Sequence, residues 1–192
     1  MITLLEKIRR CTLCDDLPLG PRPVIRAQKS SKLLIIGQAP GTKVHQSGIP
    51  WDDASGDRLR DWLNLNKETF YDDRLIAIMP MGLCYPGRLE KGGDKPPQPI
   101  CAPTWHNKVR QELSQIELTL LVGSYAQNYY LRTTKEKTMT DTVKNWGKYV
   151  QSGFFPLPHP SWRVTNLIKK NPWFEKDLLP DLRKSVQHIL SS

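Results

Sequence analysis

Ser31-Lys32-Leu33-Leu34-Ile35-Ile36-Gly37, running straight into Gln38-Ala39-Pro40-Gly41, decides the fold of this 192-residue chain. Four apolar residues in a row cannot alternate between core and solvent, so both faces of the segment must be covered. A run this short, closed by glycine, reads as a buried parallel strand. The loop that follows carries two glycines and a proline, and its glycines let a ligand approach the backbone closely. It lacks the lysine and the spacing of a phosphate-binding P-loop.

Three further strands follow from the same reasoning. Arg74–Met79 and Leu118–Gly123 read as the second and third, with Ser124 expected to cap a helix reaching Tyr130. Phe154–Pro158 reads as a fourth strand, confined by its prolines to an edge. Between them, Leu59, Trp62 and Leu63 form one face of a helix over 55–63. Helical stretches are expected near Thr104–Gln115 and Asp141–Trp146, and a last one over Trp173–Leu190 that Pro180 should bend or restart. Strands alternating with helices predict an α/β fold, a three-layer α/β/α sandwich around a four-stranded parallel sheet, with residues 1–192 as one domain. Ligands bind such sheets beyond the carboxyl ends of the strands, so function is expected in the loops after Ile36, Met79, Val122 and Leu157. Pro86–Pro103, rich in glycine and proline, is the one long irregular stretch.

Composition bounds the partners. Lys and Arg number 28 against 19 acidic residues, a formal net charge of +9, which favours a polyanionic partner, nucleic acid first. The same excess also fits a generic soluble surface. The basic residues are dispersed, from Arg9-Arg10 to Arg163 and Lys169-Lys170, as on a folded face rather than a tail. No apolar run approaches the roughly 18 residues of a membrane span. The opening Met1–Lys7 meets a charge too early for a secretory signal. A cytoplasmic monomer without membrane contact is expected.

The four cysteines fall into two pairs, Cys11-x-x-Cys14 and Cys84 with Cys101, the second pair bracketing the irregular stretch. A cytoplasmic setting disfavours disulfides. Four thiolates with none left over suit zinc or an iron–sulfur cluster, against the plainer reading of incidental cysteines.

After the first loop comes Gln46-Ser47-Gly48-Ile49-Pro50-Trp51-Asp52-Asp53, where a proline-aromatic pair precedes a helix start and sets Trp51 over the pocket mouth. An aromatic there stacks on an extruded base, an interaction worth roughly 1–3 kcal/mol; core packing is the alternative for Trp51. Late in the chain, His159-Pro160-Ser161 holds a histidine on a short loop.

Taken as an ordered set, these segments resemble the uracil-DNA glycosylase superfamily, and its iron–sulfur, thermophile-type branch most of all. That branch carries a Gly-Glu-Ala-Pro-Gly loop, a Gly-x-Pro-Phe segment, a late His-Pro-Ser and four cysteines spaced much like Cys11, Cys14, Cys84 and Cys101. The likeness spans residues 11 to about 163. It implies excision of uracil or another altered base from DNA, with a structural [4Fe–4S] cluster on the four cysteines. Trp51 then occupies the position of the base-stacking aromatic, and Ala39 borders the base. His159 takes the place of the histidine that stabilises the leaving base as an anion. Ser161 and Arg163 would contact phosphates or enter the duplex, and the loop from Cys84 to Cys101 would touch DNA.

Two departures from that pattern matter. Gln38 stands where an acid is expected; it binds a water but cannot take its proton. Asp52 and Asp53 just downstream could supply the charge, and surface or capping roles fit them as well. The asparagine expected to read the uracil edge is missing from Met79-Pro80-Met81-Gly82-Leu83-Cys84. Losing such a partner weakens base selection. His45, in the same loop region, could be an acid, a nucleophile or neither. The two readings are therefore a DNA N-glycosylase and a nucleic-acid-binding member of the same fold with lost or altered chemistry.

Overall fold

The structure, a computed structural model, describes residues 1–191. After a first helix, α1 (Ile2–Arg9), the chain reaches strand β1 (Leu33–Ile36), then α2 (Thr42–Ser47), α3 (Ala54–Leu63), α4 (Lys67–Phe70) and β2 (Ile76–Ile78). Next come α5 (Cys101–Glu112), β3 (Leu118–Val122) and α6 (Ser124–Leu131), then a 3-10 turn at Arg132–Thr134. The remainder is α7 (Met139–Lys144), α8 (Trp146–Val150), β4 (Phe154–Leu157), α9 (Val164–Lys170), a π-helical turn at Phe174–Leu178 and α10 (Leu179–Ser191).

The four strands form one parallel sheet in the order β2-β1-β3-β4, with Ile35 opposite Ile78 on one side and Leu120 on the other. The apolar runs that read as strands explain both covering layers, because alternate residues of one run serve opposite cores. Leu33, Ile35, Ile76, Ile78, Leu118 and Leu120 pack against α3 and α10 through Leu59, Trp62, Leu182 and Val186. Leu34, Ile36, Ala77 and Leu121 face α1, α5 and α6 through Leu5, Ile8, Val109 and Ala126. β4 lies at the edge as its prolines require, Pro156 pairing only toward Leu121 of β3.

Two local expectations are corrected. Ser124 does not cap α6; Gly123 does, at φ +89°, and Ser124 is the first helical residue. The cap must twist through the left-handed region, which glycine tolerates at little cost. The helix expected near Thr104 begins at Cys101, because Ile100 already has helical geometry and Pro103 falls in the first turn, where its missing N–H costs nothing. The terminal helix does restart at Pro180: a π turn ends in α10, and Pro180 is the second residue of the new helix.

Candidate active site

The connection from β2 crosses behind β1 to reach β3, so the carboxyl ends of β1 and β3 diverge and leave a crevice. A cavity of about 560 Å³ opens there, lined by Gly37 to Val44, Pro50, Trp51, Asp53, Pro80, Arg88, Leu89, Gly92 to Asp94, His159 and Ser161 to Arg163. The loop after β1 is held by the segment that follows β2: Met81 N donates to Gly37 O and Gly82 N to Gln38 O, each at 2.9 Å. The pairing of β1 with β2 thus continues past the sheet and fixes the first pocket loop.

Trp51 lies in the wall rather than over the mouth. A β-carbon built on Gly37 would sit 2.6 Å from the indole Cζ2, and one on Gly56 would fall on the Trp51 carbonyl oxygen. Trp51 itself has φ 59°, an unusual conformation for an aromatic residue. The two glycines and the strained backbone together press the half-buried ring against the end of β1. There it lies beside His159, the ring centroids 5.6 Å apart and tilted by 36°.

His159 follows β4, and its Cβ is 3.5 Å from the position a side chain on Gly123 would take. Burial holds its imidazole below the ordinary histidine range, with the Asp53 carboxylate opposing that shift. Its environment thus favours the neutral imidazole. Arg58 of α3 grips the loop behind it, its Nη1 donating to Ser161 O at 2.6 Å and Pro160 O at 3.2 Å. Asp53 caps α3, its Oδ1 accepting from Gly56 N at 2.8 Å, while still bordering the cavity.

The stretch expected to be irregular is so up to Ile100, where α5 follows, but within it residues 87–95 fold back as a tight hairpin turn. Arg88 and Asp94 bridge antiparallel, Leu89 N donates to Gly93 O at 2.9 Å, and Lys95 N to Gly87 O at 2.8 Å. This brings Asp94 to the rim of the first loop, its Oδ2 3.5 Å from a β-carbon built on Gly41. Gln38 donates its amide to Lys95 O at 3.3 Å. Opposite the hairpin, the Arg163 guanidinium approaches Gly93 and also lies over the Trp162 ring, 5.5 Å from its centroid. Trp162 is 74% exposed at the cavity edge.

Cys11, Cys14, Cys84 and Cys101 line one small cavity with Pro21, Pro23 and Trp105. The backbone amide of Leu83 donates to Cys101 Sγ at 3.3 Å and that of Arg22 to Cys84. Burial pushes the thiols of Cys84 and Cys101 up to about 11 and about 12. Among the described residues, no three His, Cys, Asp or Glu side chains are grouped to hold a metal ion. The side chain of Arg22 reaches the other way, donating to the carbonyls of His45 and Gln46 at the end of α2. His45 is buried outside the large cavity, against Tyr85, with its Nδ1 unpartnered among the described residues.

The folded chain thus brings Gln38, Ala39, Trp51, Asp53, His159, Ser161 and Arg163 to one cavity, and the four cysteines to another. The sequence reading missed Arg58, Asp94, Trp162 and His106. His106 shares the buried face of α5 with Ala102 and Val109, a spacing that was visible in the sequence. Its Nε2 donates to Pro80 O at 3.1 Å, so its Nδ1 accepts from the Tyr130 hydroxyl at 2.7 Å. Residues 25–183, most of the chain, match the family model described as the uracil DNA glycosylase superfamily.

Proposed function

The chain belongs to the uracil DNA glycosylase superfamily, and from that premise we propose that it hydrolyses the N-glycosidic bond of uracil or another altered base in DNA. The observation that carries this reading is a neutral His159 beside the face of Trp51 in one cavity of about 560 Å³. A cavity of that size holds a nucleobase flipped out of the helix. As the bond breaks, negative charge gathers on the departing base and positive charge on the sugar. A neutral imidazole N–H fixed in a partly dry site stabilises the first charge without prior reorganisation. Trp51, packed against Gly37 at the end of β1, gives the base a surface to stack on. Ala39 borders it, and Ser161 and Arg163 stand at the rim where phosphates would lie.

We propose that the four cysteines hold a [4Fe–4S] cluster, with zinc as the alternative. All four thiols border one space, and backbone N–H groups already point at two of the sulfurs. When bound, the group would staple the N-terminal segment to the start of α5. Iron and acid-labile sulfide together would support the cluster; zinc alone would replace it.

A second reading is a DNA-binding member of the family with altered chemistry. It is favoured by Gln38, whose amide is committed to Lys95 O, and by the Met79–Leu83 stretch, which offers the cavity no side-chain amide. Single- and double-stranded DNA bearing uracil, hypoxanthine or mismatches separates the two readings. We expect abasic sites from at least one substrate, and a loss of roughly 10²–10³-fold in His159→Ala. Salt-dependent DNA binding with no abasic sites on any substrate would support the second reading instead.

A further inference from the structure

We propose that the carboxylate directing the attacking water is Asp94, delivered to the cavity by the hairpin bridged at Arg88 and Asp94 and held there by Gln38. The inference rests on the glycosylase reading above and names a residue for it.

The loop after β1 carries no acid, and Gln38 cannot accept a proton. Asp52 does not line the cavity, and one oxygen of Asp53 is committed to capping α3. Asp94 lines the cavity from the opposite side, its Oδ2 beside Gly41, the last residue of the loop in which the acid is missing. Its carboxylate has no hydrogen-bond partner among the described residues, so its lone pairs are free for a water.

Two contacts hold this placement. The antiparallel bridge fixes where Asp94 leaves the hairpin, and Gln38 donates to Lys95 O, the next carbonyl along. Gln38 therefore works as a clamp that positions the acid instead of being the acid. Arg88 and Asp53 face the carboxylate with opposite effects, and Lys43, His159 and Arg163 share the cavity. Desolvation dominates and keeps the Asp94 carboxyl above the usual range, Arg88 opposing and Asp53 adding to it. That moves it toward the working range of a general base.

In the step this implies, the C1′–N bond breaks and its electron pair leaves with the base, which His159 stabilises as an anion. Water oxygen bonds to C1′ as Asp94 takes its proton. That proton then passes through solvent to the base, leaving a neutral base and an abasic sugar.

The test is single-turnover excision, on a substrate the wild type processes, across pH and alongside DNA binding at fixed salt. We expect Asp94→Asn to be slowed about 10²–10⁴-fold. It should bind DNA at least as tightly, having lost a negative charge, and its rate should lose the acid limb that the wild type shows. Gln38→Ala should be slower but keep the limb. An Asp94→Asn rate within threefold of wild type overturns the assignment, as does a slowed variant that keeps the acid limb. A wild type inert on every substrate removes the glycosylase reading as well; an active wild type with an unaffected Asp94→Asn removes only this one.

Discussion

Gly37 and Gly56 leave no room for a methyl group because Trp51 is folded down onto both. At Gly37 the obstacle is the tip of the indole, a side chain that can swing away. At Gly56 it is the Trp51 backbone, which cannot. Gly37→Ala should therefore fold, expel the ring from its seat and weaken binding of an abasic-site or base-analogue DNA. The expected loss is the roughly 1–3 kcal/mol of one stacking contact, read by titration. Gly56→Ala should instead lower the unfolding midpoint strongly. His106 sets a second residue-scale expectation. Burial pushes it down to about 4, so the folded state favours its neutral form. The unfolded chain takes up that proton near 6.5, so stability from this group is complete above about 6.5 and declines as pH falls toward 4. The fall is roughly 3 kcal/mol, at about 1.4 kcal/mol per unit. His45 and His159 are shifted the same way. Denaturant midpoints across that window should drop for the wild type, and His106→Gln should lose most of the slope.

Among the elements, α3 reaches into both sides of the site. Its N-terminus is capped by Asp53, and one turn later Arg58 holds the carbonyls of Pro160 and Ser161. The His159 loop is thus positioned by a helix more than a hundred residues earlier in the chain. Arg58→Ala should slow excision more than it weakens DNA binding, since it loosens the donor and leaves Trp51 in place. Comparing the single-turnover rate with the dissociation constant checks this. The loop before α9 ends in an exposed aromatic, and apolar side chains at such rims act as wedges between base steps. Trp162→Ala should cost more on duplex substrate than on single-stranded DNA, where no base pair has to open. Equal losses on both would assign Trp162 to stacking alone.

For the whole molecule, a net charge of +9 sets a salt dependence. Affinity for undamaged DNA should fall linearly with the logarithm of salt concentration, with a slope that shrinks when Arg163 is replaced by alanine. Arg22 joins the two cavities: its backbone amide points at Cys84, and its side chain holds the end of α2 beside the first pocket loop. No helix among the described residues is long and apolar enough to cross a membrane.

The sheet and its covering layers are legible in the amino-acid order, because four short apolar runs ending in glycine or proline admit little but buried parallel strands. That order also determined which loops meet, since a parallel sheet gathers the carboxyl ends of its strands at one edge. Gly37–Gly41, Trp51 and His159 were legible for that reason. Tertiary structure alone decided what each group does there. Trp51 lies in the wall because Gly37, at the end of β1, comes under its indole only in the folded chain. Gln38 holds the hairpin because Lys95, 57 residues away, folds back onto it. Asp94 lies in a segment with no apolar period to place it, so its arrival at the pocket follows from hairpin hydrogen bonds that composition does not encode. The pocket was written in local patterns; the placing of its acid required contacts between residues far apart in the chain.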